Sequence, residues 1–292
     1  MLIAYTMLKL LWKAESSLIY AALRFFRRKL DHDVEKTIDD IEILYNSPHF
    51  LVVNKSWDVI LNHKDRDRAV TVERQLERLY PDLVNPSLKL GFYFCHRLDY
   101  STSGVLCIAK HKKACSAAVK AFEQRQSQKF YLAIVRGLIS EDVLTISEPI
   151  GCDTREKFNK VRMATKSSPF CSHACRDAKT TLVVLQRGVC YDYPATKVLM
   201  RPVTGRRHQL RLHLNHVGHT IVGDFTYSNR TDVHPYRMFL HAYKLTLPNN
   251  IEDLDITTSD PFTSVEIRNR WQPQHTVNTI ESAIEYLLKK DR

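Results

Sequence analysis

Two short segments of the chain concentrate side chains that could carry out chemistry. The first runs from Phe94 to Lys110 and places six such side chains within eight residues, directly before an apolar strand: His96, Arg97, Asp99, Ser101, Thr102 and Ser103. Loops mounted on rigid strands often hold reactive groups, and Gly104 allows another backbone to approach closely where the strand begins. The alternative is an ordinary turn, in which Asp99 accepts hydrogen bonds from the backbone of the Ser/Thr run.

The second segment runs from Arg201 to Asp224 and combines a helix signal with a cluster of cations. Apolar residues at helical spacing, and a glycine at the place of a C-cap, predict a helix that follows a Gly-Arg-Arg turn: Leu210, Leu214, Val217 and Gly218. Arg206, Arg207 and Arg211 lie at or near its start, where backbone N–H groups favour anions and guanidinium groups add to that preference. The alternative is a basic helix end that is simply solvated.

Histidines and cysteines raise the question of a metal site. No i, i+4 pair that would place two rings on one metal occurs among the clustered histidines, which are His208, His213, His216 and His219. The cluster Cys171-Ser-His-Ala-Cys175 lacks a second pair at zinc-ribbon spacing. We therefore expect all seven cysteines to be free thiols of a reducing compartment. We predict no metal site, against the alternative of a metal-dependent nucleic-acid hydrolase.

Several longer motifs occur in order along the chain. They are Val53-Asn54-Lys55, then His96-Arg97-Leu98-Asp99 with Thr102-Ser103-Gly104, then Lys129–Gly137, then Gly205–His213 with Gly218-His219 and Gly223-Asp224, and last His241-Ala242. This series resembles the motifs of the RluA-type RNA pseudouridine synthases, in that family's order. The resemblance extends from about Ile41 to Leu247.

The resemblance implies a role for each site residue. It implies that Asp99 is the catalytic carboxylate, that Arg211 is its partner, and that the ring of Tyr131 contacts the uracil and helps to move the C5 proton. It gives Arg97 the role of filling the space that a flipped uridine vacates in RNA. Further RNA contacts are expected from the turn that leads into the helix: Arg206, Arg207, His208 and Gln209. The expected partner is RNA, as tRNA, rRNA or mRNA, and neither cofactor nor metal is expected.

The reaction that the resemblance implies breaks the bond from ribose C1′ to uracil N1, turns the base and joins C1′ to C5. It is an isomerisation that needs no nicotinamide and no phosphate donor, and the sequence has no Gly-rich phosphate loop. It needs a carboxylate beside the sugar, which either attacks C1′ or removes the 2′ proton. A neighbouring arginine would hold that carboxylate ionised and aimed.

Other interpretations of the same residues stay open. Without the resemblance, Tyr131 would be an ordinary half-buried strand tyrosine and Arg211 a surface cation. A non-catalytic RNA-binding protein with the same fold is the second hypothesis. The joint presence of Asp99, Tyr131 and Arg211 argues against it, since binding alone needs no such trio.

The chain departs from the family pattern at three places. Ser56 and Asp58 stand where family members often have Pro and Gly, Thr220 replaces a common Pro, and Leu247-Pro248-Asn249 stands where His-Pro often closes a strand. These departures bear on loop shape and substrate choice more than on the chemistry.

The elements that position these residues follow from hydrophobic periodicity. Strands are predicted at 50–55, 105–109, 130–135, 180–185, 197–200 and 239–247, and helices at 70–80, at 112–126, after the Gly-Arg-Arg turn and near 277–287. Turn signals stand at Arg187-Gly188, Pro202 and Gly205, and 148–176 is predicted to be an insertion or long loop. The mixture of strands and helices predicts an α+β protein. The resemblance implies a pseudouridine synthase fold, a mixed, largely antiparallel sheet with flanking helices around a central RNA-binding cleft.

Composition and charge narrow the function classes. The 292 residues include 43 Lys and Arg against 32 Asp and Glu, a formal net charge of +11, and 44% of them are hydrophobic. This balance is typical of a globular protein and excludes collagen-like, low-complexity and wholly disordered chains. The excess of cations favours a polyanionic partner, either a nucleic acid or an anionic membrane.

We divide the chain into an N-terminal amphipathic extension (1–40), a pseudouridine synthase catalytic domain (41–250) and a C-terminal extension with an amphipathic helix (251–292). Charges interrupt each apolar run before residue 30, so no membrane span is expected. A single apolar face there fits a transit peptide, an interfacial helix or a helix packed on the domain: Leu18, Ile19, Ala22, Phe25 and Phe26. We expect an intracellular monomer, with the cytoplasm favoured and the mitochondrion as the alternative.

Overall fold

The computed structural model describes residues 37–62, 70–155, 162–172 and 174–289. All of them belong to the larger of two compact units, Thr37–Arg292. The predicted apolar face at residues 18–26, and His173 of the cysteine cluster, lie outside the described residues.

One large sheet carries the fold. In spatial order its main strands are β1 (Glu42–Asn46), β2 (Phe50–Lys55), β4 (Ser103–Ala109), β11 (Leu240–Leu247), β5 (Gln128–Arg136), β10 (Tyr193–Pro202), β9 (Thr180–Cys190) and β13 (Trp271–Thr276). Short strands extend it: β3 (Tyr93–Phe94) on β4, β6 (Val143–Ile146) on β9 and β12 (Leu254–Thr257) on β11. Over the described ranges, β4 and β11 run parallel and the other pairs are antiparallel, so the predicted mixed, largely antiparallel sheet is confirmed.

Four α-helices accompany the sheet in the part of the chain that the structure describes: α1 (Val72–Leu79), α2 (Lys112–Glu123), α3 (Gln209–His216) and α4 (Ile280–Lys289). The α+β class is therefore confirmed. Helix α2 buries small residues, Ala114, Ala118 and Ala121, in the core that it shares with β2 and β4. It ends three residues before the predicted bound, and Arg125 then adopts a positive φ of 59°, which an α-helix cannot contain.

The turn predicted at Arg187-Gly188 is wrong. Strand β9 continues through both residues to Cys190, and the chain reverses at Tyr191 and Asp192, whose φ values of 51° and 65° form the two-residue hairpin connection to β10. Gly188 serves a different purpose, because a Cβ there would lie 2.1 Å from the carbonyl oxygen of Gln272. The glycine allows β13 to approach β9, a contact between segments that local sequence does not show.

The predicted insertion or long loop at 148–176 contains regular secondary structure in its described residues, so the alternative of a long loop is corrected. Its strands β7 (Ile150–Cys152) and β8 (Met163–Thr165) form a two-stranded antiparallel sheet. A small core holds this insertion against α3 and the segment after it: Ile150, Ala178, Leu212 and Tyr227. The insertion therefore packs against the helix that carries Arg211.

The cysteines of this insertion also differ from the prediction. Cys171 and Cys175 are paired through their sulfur atoms as a disulfide, so the expectation of free thiols is wrong for these two. Gly151 leaves the necessary room, because a Cβ there would lie 2.8 Å from each sulfur. The other five cysteines are free, as expected: Cys95, Cys107, Cys115, Cys152 and Cys190.

The predicted C-terminal extension, 251–292, contributes to the same sheet. It supplies β12, β13 and helix α4, which buries Ala283 and Leu287 in the core formed with β9 and β10. The boundaries between the three predicted segments stay a prediction. Among the described residues, no helix is both long enough and apolar enough to cross a lipid bilayer.

Candidate active site

A cleft of about 570 Å³ lies where the loop before β4, the end of α2, strand β5 and the turn into α3 meet. Most of the predicted site residues line it: Arg97, Asp99, Tyr131, Arg206, His208, Gln209 and Arg211. Arg207 is exposed beside it and does not line it. The two segments singled out in the sequence therefore face each other across one cavity.

Asp99 lies in a tight turn that ends where β4 begins. The Thr102 N–H donates to the Asp99 carbonyl oxygen at 3.1 Å, while the Asp99 carboxylate faces the cleft and accepts from Arg211. This differs from an ordinary turn in which the carboxylate itself would cap the Ser/Thr run. Gly104 follows with a φ of 113°, and a Cβ there would lie 2.2 Å from the carbonyl oxygen of Ala242. The glycine thus lets β11 pair with β4 directly beside the turn.

The side chains of His96 and Lys55 hold this turn in place. Nε2 of His96 accepts from the Cys107 N–H at 2.9 Å, and burial lowers the pKa of His96 to about 3, so the ring is a neutral acceptor. Nζ of Lys55 donates to the carbonyl oxygens of Ser56, Val59 and Tyr100 at 2.8, 2.7 and 3.0 Å. Lys55 therefore ties the loop after β2 to the residue that follows Asp99, a role that the sequence did not indicate.

The loop after β2 keeps a backbone shape that suits glycine, although the family's common glycine is absent. Asp58, which stands in its place, has a φ of 55°. Aspartate is one of the few residues that adopt this left-handed conformation without large strain.

Arg211 is a buried bridge between two carboxylates, and its interpretation as a surface cation is wrong. Its side chain is 8% exposed, and its Nη1 lies 3.3 Å from Oδ2 of Asp99. Nε and Nη2 donate to the two oxygens of Asp224 at 2.7 and 2.8 Å. Burial opposes the charge, but the hydrogen bonds to Asp224 and the charges of both carboxylates raise the pKa of Arg211 above its usual value.

Tyr131 lines the cleft from the middle of β5. Burial, with a smaller contribution from the charge of Asp99, raises the pKa of this phenol above its usual value. The ring therefore presents a protonated hydroxyl at neutral pH.

His208 connects the turn into α3 with the neighbouring Tyr227. Its backbone adopts the left-handed conformation, with a φ of 55°. Nδ1 lies 3.1 Å from the Tyr227 hydroxyl, and Nε2 lies 3.9 Å from Oδ2 of Asp99. Burial lowers the pKa of His208 to about 4 although Asp99 acts in the opposite direction, so this imidazole is neutral at pH 7.

Gln209 is buried, and its amide is occupied by protein contacts. Its oxygen accepts from the Thr204 hydroxyl at 2.7 Å and from the Arg206 N–H at 3.0 Å, while its nitrogen donates to Lys179 and Thr180 at 3.0 Å. These bonds give Gln209 a structural role in shaping the Gly-Arg-Arg turn, and its contact with RNA stays a prediction.

The lining of the cleft is rich in cations. Arg125, Lys129 and Arg206 line it together with Arg97. Burial lowers the pKa of Arg206, with contributions from the neighbouring charges of Arg176 and Arg125, and burial also lowers the pKa of Lys129. Sequence reasoning missed Arg125 and gave no role to Lys129, although the motif around Tyr131 includes Lys129.

The clustered histidines make hydrogen bonds that shape the fold. His213 is fully buried, and its two ring nitrogens lie 2.9 Å from the Thr180 hydroxyl and 2.9 Å from the carbonyl oxygen of Glu148. Nδ1 of His219 lies 2.9 Å from the carbonyl oxygen of Arg136. Across the described ranges, no group of three or more His, Cys, Asp or Glu side chains is arranged to hold a metal ion.

Comparison with known proteins places this geometry in a family. Residues 49–216 match the family described as RNA pseudouridylate synthase. The chain is 41% identical to RNA pseudouridylate synthase domain-containing protein 1 of Danio rerio over 254 residues, which cover 87% of this chain and 86% of that protein. It is 31% identical to the dual-specificity RNA pseudouridine synthase RluA of Pasteurella multocida over 225 residues, 76% of this chain and 93% of that protein.

A solved structure gives the same result. Human RNA Pseudouridylate Synthase Domain Containing 1 superposes with a TM-score of 0.76 at 37% identity, over 87% of this chain and 96% of that one. Three segments of the sequence also resemble this animal protein, Asn54–Val59, Phe94–His96 and Asp260–Phe262, and the comparison confirms that likeness.

Proposed function

Because this chain belongs to the RNA pseudouridylate synthase family and is an RNA pseudouridine synthase, we propose that Asp99 is the carboxylate that reacts with the ribose of the target uridine. The observation that carries the proposal is the ion pair inside the cleft, in which Arg211 Nη1 lies 3.3 Å from Asp99 Oδ2. A charge-assisted bond of this kind keeps a carboxylate ionised and fixes its direction.

The geometry suits a carboxylate that must reach a sugar. The Asp99 side chain is 26% exposed, and its exposed part faces the cleft, while Arg211 and His208 contact its Oδ2. A flipped uridine that enters the cleft would thus bring its ribose toward the remaining oxygen. Attack on C1′ and removal of the 2′ proton both require an ionised carboxylate in this position.

Tyr131 is proposed to lie against the uracil ring. A tyrosine hydroxyl keeps its proton at neutral pH, and burial raises the pKa of Tyr131 further above its usual value. The phenol is therefore suited to contact the base and to donate a hydrogen bond while the base turns, and it is a poor acceptor for the C5 proton.

The substrate is proposed to be a folded cellular RNA, as tRNA, rRNA or mRNA, bound through its phosphates. Arg97, Arg125, Lys129 and Arg206 line the cleft, and Arg207 is exposed beside it. Cations in such an arrangement follow the backbone without reading the sequence. Extrusion of the uridine costs a few kcal/mol of unstacking, and Arg97 is proposed to fill the vacated space.

The remaining expectations are proposals that rest on the sequence. We propose that the enzyme works as a monomer, without a cofactor or metal. We propose an intracellular location, the cytoplasm first and the mitochondrion second, because five of the seven cysteines are free thiols; the Cys171–Cys175 pair is the observation that argues against a reducing compartment. Size-exclusion chromatography with light scattering tests the first of these, and imaging of the tagged full chain tests the last.

The experiment that tests the proposed function maps pseudouridines across all RNAs of cells with and without this protein. We expect a defined set of sites to disappear without it, to return with the wild-type chain and to stay absent with the Asp99→Asn variant. Unchanged sites in every RNA, despite tight RNA binding by the purified protein, would favour the non-catalytic RNA-binding hypothesis instead.

A further inference from the structure

Arg211 is shared unequally between two carboxylates. It gives two nitrogens to Asp224, at 2.7 and 2.8 Å, and one nitrogen to Asp99, at 3.3 Å. The shorter and bidentate contact is the stronger one. The guanidinium is thus anchored on Asp224 and reaches Asp99 with the nitrogen that is left.

Asp224 is itself held in a fixed place. Its carboxylate is fully buried, and its Oδ1 also accepts from the N–H groups of Thr226 and Tyr227 at 3.0 and 3.1 Å. Gly223 precedes it with a φ of 76°, at a point where a Cβ would lie 2.1 Å from the Arg237 carbonyl oxygen. The close crossing at Gly223 thereby fixes where Asp224 meets Arg211.

Residues 224–227 also support Asp99 through a second set of contacts, which involves Tyr227 and His208. The ring of Tyr227 lies 5.2 Å from the Arg211 guanidinium, and its hydroxyl is 3.1 Å from both the Met163 N–H and Nδ1 of His208. His208 in turn lies 3.9 Å from Asp99. Both side chains that contact the Asp99 carboxylate are therefore supported from residues 224–227.

The charges give this arrangement a chemical consequence. Asp99, Arg211 and Asp224 together carry one net negative charge, whereas Asp99 and Arg211 alone would be neutral. A carboxylate that is fully neutralised by a bidentate arginine is a weaker nucleophile and a weaker base. We propose that Asp224 is a positioning residue that anchors Arg211 and takes up most of its charge, so that Asp99 is aimed yet stays reactive toward the ribose. This inference rests on the proposed role of Asp99.

The test compares Asp224→Asn with a matched control, Asp232→Asn. Asp232 also makes a bidentate pair with an arginine, Arg136, at 3.0 and 2.6 Å, and accepts from the Gly223 N–H at 2.9 Å, but it does not contact Arg211 or Asp99. The control therefore loosens the same segment without changing the charge around Arg211.

We expect Asp224→Asn to lower kcat at least tenfold while the Kd for RNA stays within twofold, and to move the acid limb of the pH–kcat profile to lower pH. The reason is that Arg211 would then pair fully with Asp99, which would take a proton only at lower pH. We expect Asp232→Asn to leave the acid limb in place. If Asp224→Asn does not fold, Asp224→Glu keeps the charge and shifts the carboxylate, so it should lower kcat with an unmoved acid limb.

A readout that needs no turnover separates this inference from the proposed function. The Asp99 carboxyl carbon is followed by NMR in protein labelled at aspartate, and it is assigned by its loss in Asp99→Asn. Removal of the Asp224 charge favours the ionised form of Asp99, so we expect its titration midpoint to fall in Asp224→Asn and to stay in place in Asp232→Asn.

The possible results separate the role of Asp224 from the role of Asp99. An unmoved midpoint, or equal kcat losses in both variants, overturns the inference while the role of Asp99 stands. A moved midpoint in a protein whose wild type converts no uridine supports the charge-sharing geometry and overturns the proposed function instead.

Discussion

At the scale of single residues, the guanidinium group of Arg211 connects the turn that carries Asp99 to helix α3. One nitrogen reaches Asp99 and two nitrogens reach Asp224, so the planar arrangement of all three donors is used. A lysine offers a compact point charge and cannot reproduce three fixed directions.

The first prediction follows from this geometry. Arg211→Lys should lose about 100-fold or more in turnover, which corresponds to ~2.7 kcal/mol of barrier lowering, with RNA affinity mostly kept. Single-turnover release of tritium from 5-tritiated uridine in RNA measures the rate, and filter binding measures the affinity. Wild-type turnover in this variant would show that the pair does not direct the reaction.

The roles of some of these residues can be predicted from the sequence, whereas contacts between distant parts of the chain cannot. Asp99, Tyr131 and Arg211 stand inside motifs, so the resemblance assigned their roles. The partnership of Arg211 with Asp224, 13 residues later, and that of His208 with Tyr227 arise where the chain folds back on α3. Neither hydrophobic periodicity nor motif spacing predicts that residues 224–227 contact helix α3. For Gln209 the sequence suggests a contact that the structure does not show. A polar residue in a basic motif is expected to face RNA, whereas the Gln209 amide makes hydrogen bonds to Thr204 and Lys179 inside the protein.

At the scale of elements, hydrophobic patterning was sufficient for the strands that hold the site. The strand predicted at 50–55 coincides with β2, and those predicted at 105–109 and 130–135 lie inside β4 and β5. Each of the three contains a continuous run of at least four apolar residues, most of them buried in the sheet. The prediction of a turn at Arg187-Gly188 was wrong because a glycine also occurs where another backbone approaches closely. At Gly188 that backbone belongs to β13, and the chain does not reverse there.

The second prediction tests that explanation of Gly188. Gly188→Ala should lower the free energy of unfolding by about 2 kcal/mol, since the new Cβ would meet the Gln272 carbonyl oxygen and force β13 away from β9. Gly205→Ala is the control, because the nearest atom to its Cβ would be Nζ of Lys129 at an ordinary 3.6 Å. Urea denaturation measures both variants. An undiminished stability of Gly188→Ala would contradict the close approach.

At the scale of the whole molecule, the excess of cations should govern how RNA binds. The third prediction is that the logarithm of RNA affinity falls linearly with the logarithm of salt concentration, with a slope of several units. Lys129→Gln should reduce that slope by about one unit, while Lys113→Gln, an exposed lysine outside the cleft, should leave it nearly unchanged. A flat salt response would contradict binding through phosphates.

Buried neutral histidines should make the fold sensitive to acid. Burial lowers the pKa of His96 and His241 to about 3 and that of His208 to about 4. In the unfolded chain these groups take up a proton near pH ~6.5. The folded state therefore binds fewer protons between about pH 6.5 and pH 4, and its stability must fall as the pH falls through this window.

The fourth prediction puts a magnitude on this loss. Each of the three histidines should contribute about 1.4 kcal/mol of lost stability per pH unit below its unfolded pKa. His241→Gln should remove one such contribution from the slope measured by urea denaturation at several pH values. Equal slopes in wild type and His241→Gln would contradict a neutral His241.

The most direct test of the central claim is the activity of Asp99→Asn. The substitution is nearly isosteric, so the cleft and its affinity for RNA should persist. The wild-type protein should release tritium from 5-tritiated uridine in RNA without added metal or cofactor, and the variant should bind the same RNA and release none above background. Activity within tenfold of wild type would correspond to only ~1.4 kcal/mol of lost barrier lowering. That is too little for the carboxylate that makes or breaks the bond at the ribose, and it would contradict the role of Asp99.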